Sequence, residues 1–93
     1  MITHYYVYVL VDPITNKIRY IGRTKNPDKR YVGHLNGNSN GYILNWVDNL
    51  KQQGKRPILK IIDDTCDFER IKEIELDLIR TFDRRFLLNN DGG

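Results

Sequence analysis

The sequence predicts an α+β domain: a small three-stranded antiparallel sheet with about three flanking helices, in the order β-β-α-α-β-α. Three observations predict it. Aromatic and β-branched residues fill Tyr5 to Val11 and recur at Ile18 to Arg23, either side of a turn sequence. Asn26-Pro27-Asp28 is a helix start: a capping side chain, proline at the first helical position and an acid in the first turn. From about Asp67 to Phe82 the apolar residues recur at helical spacing. With 93 residues there is room for one domain, taken as 1–93.

Between the first two strands, Asp12-Pro13-Ile14-Thr15-Asn16 reads as a turn. Closing it symmetrically sets Tyr8 opposite Tyr20 and Leu10 opposite Ile18. The first helix is short, stops around Gly33 to Gly37, and carries Arg30 and His34 four apart on one face. Ser39 or Asn40 can cap a second helix, in which Ile43, Leu44, Trp46, Val47 and Leu50 keep helical period up to Gly54, with Trp46 in the core. Pro57 opens a third strand, Ile58 to Ile62, apolar enough to be central.

Several classes are excluded by composition. The apolar run Val7 to Val11 is far short of the roughly 18–20 residues that span a bilayer. The opening residues lack the basic, apolar, small-residue order of a secretory leader. The single Cys66 cannot close an intrachain disulfide, and one Cys with two His cannot complete a four-ligand zinc site. The expectation is a soluble intracellular protein, cytoplasmic or nucleoid-associated, with no membrane or disulfide partner. Charge is uneven: residues 1–62 hold ten Lys/Arg against three Asp/Glu, residues 63–93 five against nine. A basic front suits a polyanion such as nucleic acid, although many small soluble proteins are equally basic.

The last helix poses the sharpest question. Phe68, Ile71, Leu78, Ile79 and Phe82 form one stripe, and Glu75 falls in its middle while Glu73, Asp77 and Arg80 point away. A carboxylate on a packing face costs several kcal/mol of desolvation unless a cation or donors compensate. Glu75 can snorkel at the stripe's edge, pair with a structural Arg, or hold a metal at the floor of a cleft.

Tyr6-Val7-Tyr8, then Tyr20-Ile21-Gly22-Arg23-Thr24, then Arg30 and His34, Glu75 inside a helix, and Leu88-Asn89 together resemble the GIY-YIG nuclease superfamily. The combination covers nearly the whole chain. One departure is Tyr6 at the first position of the Gly-Ile-Tyr motif, which puts backbone detail there in doubt. A second is the ending Leu88-Asn89-Asn90-Asp91-Gly92-Gly93, one residue shorter than the family's, for which Asn89 is the preferred match. The resemblance implies a metal-dependent endonuclease hydrolysing DNA phosphodiesters, one strand per active site, with Tyr8, Tyr20, Arg30, His34 and Glu75 as catalytic residues. Glu75 would hold one divalent ion, Mg²⁺ or Mn²⁺, with waters and substrate phosphate completing the shell. Arg30 can fork onto phosphate oxygens. Tyr8 is the family's usual water-activating residue, but a free tyrosine is only about 0.1% ionised at pH 7, so it needs cationic neighbours, the metal or His34 as a relay; His34 is the alternative base or a phosphate-facing donor. Arg23, Lys25, Lys29 and Asn89 are the expected nucleic-acid contacts. The alternative is a catalytically silent nucleic-acid-binding module on the same scaffold.

Overall fold

A strand apolar at successive positions can bury both faces. Tyr5 to Val11 does so in the computed structural model, which describes residues 2–37, 40–82 and 87–89. This strand, β1 (Tyr5–Val11), is fully buried from Val7 onward. It lies between β2 (Ile18–Thr24) and β3 (Ile58–Thr65) in the antiparallel order β2-β1-β3. The helices are α1 (Pro27–Leu35), α2 (Gly41–Gln52) and α3 (Phe68–Thr81). The α+β class and the element order match the sequence reading.

Alternation along β1 divides the core into two layers. Tyr8 and Leu10 pack with Ile43, Trp46, Val47 and Leu50 of α2, backed by Tyr31 and Leu35 of α1. On the opposite face Val7, Val9 and Val11, with Ile21, pack against Ile71 of α3. Helices therefore cover both faces of the sheet. Among the described residues, no helix is long and apolar enough to cross a membrane.

Caps form where the sequence places them. The Asn26 side chain accepts from the Lys29 amide, Asn40 from the Ile43 amide, and Asp67 from the Glu69 and Arg70 amides. Of the two candidate caps for α2, Asn40 does the work; Ser39 lies outside the described residues. Gly54, at φ 70°, takes the left-handed turn that ends α2.

Three expectations are corrected. The hairpin register puts Tyr8 opposite Gly22 and Leu10 opposite Tyr20, two residues from the expectation: the turn takes Asp12 to Lys17, so that Val11 pairs with Ile18, and the ladder slips by one more between Leu10 and Val11, leaving Arg19 as an extra residue on β2. The third strand is an edge, not the centre: β3 runs on to Thr65, and Ile58, Ile61 and Ile62 are all more than two-fifths exposed. The packed face of α3 is turned toward Ile74, which joins Ile71, Leu78, Ile79 and Phe82, whereas Phe68 is 42% exposed. Glu75 thus stands at the flank of that face.

The β1–β2 turn is anchored by one carboxylate. Asp12 Oδ1 accepts from the Ile14 and Thr15 amides at 2.7 and 3.2 Å, and Oδ2 accepts from the Trp46 indole at 2.9 Å. Burial alone would raise the Asp12 pKa, but these donors, led by Trp46, outweigh it and hold the carboxyl below its ordinary value. Asp12→Ala strips partners from three donors, one of them a buried indole, and should cost about 2–3 kcal/mol by chemical denaturation. A folded-state pKa below the unfolded one stabilises above the unfolded value and is lost as pH falls through the folded one. The variant's stability deficit should therefore shrink below about pH 4.

Candidate active site at the β2 edge

The slipped register gives the site its shape. Tyr8 and Tyr20 share one face of the sheet, on neighbouring strands and diagonal to one another. Their rings approach to 6.0 Å between centroids over Gly22. A Cβ on Gly22 would lie 2.7 Å from the Tyr8 hydroxyl oxygen and 2.8 Å from Tyr20 Cε2. Only glycine leaves room for the Tyr8 ring to cross β2 toward the outer edge of the sheet.

α1 closes over these rings. The Asn26 cap and Pro27 launch it straight after β2, and the four-residue spacing turns Arg30 and His34 toward the sheet. His34 is fully buried, and its ring meets Tyr20 edge-on at 5.0 Å. His34 Nε2 lies 2.7 Å from the Tyr8 hydroxyl, and Arg30 hydrogen-bonds to both Tyr8 and Tyr20. Arg30 can only donate, so it takes a lone pair of the Tyr8 oxygen; in the tautomer that carries the imidazole proton on Nδ1, the Tyr8 proton is given to His34 Nε2.

Burial and neighbouring charge set the protonation of these groups. Burial pushes the Tyr8 phenol well above its usual range, and the nearby Tyr20 adds to this despite Arg30. Burial, with the Arg30 charge beside it, lowers His34 to about 4. Burial works against the charge of Arg30, but Tyr8 and Tyr20 outweigh it and raise its pKa. At neutral pH the cluster is a neutral phenol and a neutral imidazole gathered around one guanidinium.

Beside it, Thr24, Lys25, Asn26, Lys29, Arg30 and Gly33 line an open groove of about 360 Å³. Lys25 and Lys29, two of the expected nucleic-acid contacts, thus share a wall with Arg30. Glu75 and Arg23 belong to the other face. Arg23 follows Gly22 on β2 and points toward α3, where its Nε lies 3.0 Å from Glu75 Oε1. The Arg23 guanidinium also rests over the Phe68 ring, 5.2 Å from its centroid. The five expected catalytic residues therefore form two groups: Tyr8, Tyr20, Arg30 and His34 on one side of β2, and Glu75 on the other. Gly22 and Arg23 are consecutive, so the groups flank one point of the strand's outer edge.

Asn89 braces that edge. Its amide nitrogen donates to the Ile21 carbonyl at 2.6 Å and its oxygen accepts from the Ile21 amide at 3.1 Å, while the Leu88 amide donates to the Arg19 carbonyl. Both functions of the side chain are engaged with backbone, so a nucleic-acid contact would have to use its second N–H. Asn90 to Gly93 lie outside the described residues. Sequence reasoning missed the spacing role of Gly22 and, having offered a structural Arg as one partner for Glu75, did not identify it as Arg23. A glycine inside an otherwise well-formed strand was the available signal for the first; the second had none.

A family model described as the GIY-YIG catalytic domain matches residues 4–89. No curated protein and no solved structure matches the chain.

Two outcomes test this geometry. Gly22→Ala should cost about 1–3 kcal/mol in thermal or denaturant unfolding, since its Cβ must displace two packed rings. His34 is held below its ordinary pKa of 6.5, so it stabilises above that value and its contribution is lost as pH falls toward about 4. Unfolding free energies of wild type and His34→Gln, measured from pH 7 to 4, should converge by up to about 3 kcal/mol on the acid side.

Proposed function

The chain belongs to the GIY-YIG family of nucleases, and from that premise we propose that it hydrolyses DNA phosphodiester bonds, one strand at a time, at the edge of β2. The observation that carries the reading is Arg30, hydrogen-bonded to the buried Tyr8 beside His34 and lining a groove with Lys25 and Lys29. Hydrolysis needs an oriented water, a destination for its proton and positive charge around the phosphate. This cluster offers all three.

Arg30 and the two lysines draw the phosphate into the groove, and Arg30 forks onto its non-bridging oxygens. Tyr8 is fully buried, so a water reaches its hydroxyl only when the bound phosphate draws Arg30 off it; the hydroxyl, with its own proton directed at His34, then orients the attacking water. As the water oxygen bonds to phosphorus, its proton passes to Tyr8 and the Tyr8 proton to His34, while the bond to the departing oxygen breaks. Part of what keeps His34 a weak base is the Arg30 charge. An arriving phosphate anion offsets that charge and raises the basicity of His34 at the moment it is needed.

GIY-YIG nucleases are generally dependent on a divalent metal. Among the described residues no group of three His, Cys, Asp or Glu could hold one, so a preformed all-protein cage does not fit. A hard cation sharing its shell between one carboxylate, water and substrate phosphate does fit, and Glu75 is the carboxylate that would hold it. Such an ion, Mg²⁺ or Mn²⁺, supplies charge neutralisation at the phosphate and the departing oxygen.

With Mg²⁺ and supercoiled plasmid, the wild-type chain should produce nicked circles. Arg30→Ala and Glu75→Ala should lose at least about a hundredfold in rate while keeping wild-type circular dichroism, and Tyr8→Phe should fall comparably. Binding without nicking by wild type would favour a silent binding module instead. Lys25→Ala and Lys29→Ala should each flatten the salt dependence of DNA binding by about one unit of slope.

A further inference from the structure

Glu75 has a cation already. Its side chain is only 17% exposed, and the Arg23 Nε approaches Oε1 to 3.0 Å. Arg23 is fixed from two directions, by this ion pair and by the face of Phe68 beneath its guanidinium. A guanidinium and a divalent ion cannot both sit against one carboxylate without strong mutual repulsion.

Resting on the nuclease reading above, we infer that Arg23 is the resident counter-cation of Glu75, and that a divalent ion reaches this carboxylate only by displacing it. Arg23 is then a positioning residue and a brake. In the absence of nucleic acid it compensates the half-buried charge of Glu75 and keeps metal affinity low. An incoming phosphate offers the guanidinium another anion, and since Arg23 adjoins Gly22 on the edge strand, that anion is at hand. Released from Glu75, Arg23 becomes the phosphate contact expected of it. Metal and nucleic acid consequently bind with positive coupling, which by linkage is reciprocal. The brake is modest, because Arg23 is 38% exposed and such pairs are weak.

The test is Mn²⁺ binding to the full chain, followed through the spectroscopic signal of free Mn²⁺, with and without a phosphorothioate DNA duplex that resists cleavage. Without DNA, Arg23→Gln should bind Mn²⁺ about fivefold tighter than wild type. Arg23→Met, which keeps a stem over Phe68, should do the same and serves as the readout if the Gln variant folds poorly. Adding the duplex should tighten Mn²⁺ binding in wild type by a larger factor than in either variant. Glu75→Gln should abolish binding in all backgrounds. Glu75-dependent Mn²⁺ binding that is unchanged or weaker in both Arg23 variants would overturn the brake and leave the nuclease reading standing. Mn²⁺ binding that ignores Glu75 altogether would overturn both.

Discussion

The approach of two tyrosine rings across a strand position with no side chain is the constraint on which the rest of the site depends. Tyr8 comes from the buried central strand, so its hydroxyl reaches the sheet edge only by crossing β2, and Gly22 is what lets it cross. The crossing sets the hydroxyl under α1, where His34 and Arg30 meet it. A helix start fixed by Asn26 and Pro27 immediately after β2 delivers those two residues to the same place. Local capping, strand register and a missing Cβ thus act on one hydroxyl group.

Electrostatically the two sides of β2 differ. On the α1 side, burial keeps a phenol and an imidazole neutral and leaves Arg30 as the charge that an anion would meet. On the α3 side, a carboxylate is already matched by Arg23. The basic front and acidic back of the sequence therefore meet at this edge strand, which is where a phosphodiester and a divalent cation would need to be brought together. Asn89 and Leu88 pair with the backbone of the same strand and hold its outer edge in place.

Much of this was legible in the sequence because it rests on local chemistry. Asn26-Pro27 marks a helix start in any context, and the apolar spacing around Ile71 and Leu78 marks a helix face. What could not be read depends on contacts distant in sequence. The slip that makes Arg19 an extra residue follows from the whole ladder, and a symmetric turn gave no sign of it. Ile58 to Ile62 looks like a central strand by composition, yet β1, shielded by helices on both faces, takes the centre and leaves these isoleucines at the rim. For Glu75, helical periodicity showed a charge near a packing face but not its partner, which stands 52 residues earlier in the chain. Of the three roles open to that carboxylate, the structure displays the pairing with an Arg.

The account's central claim is that the two groups flanking Gly22 and Arg23 serve one phosphate. The most direct measurement is a crystal structure of Tyr8→Phe with a short DNA duplex and Mn²⁺, using anomalous scattering to locate the ion. The account predicts one phosphate against Arg30 at the β2 edge, with Mn²⁺ between that phosphate and Glu75 and Arg23 turned away from the carboxylate. A duplex bound on another surface, or an ion remote from Glu75 with the Arg23 pair intact, would contradict it.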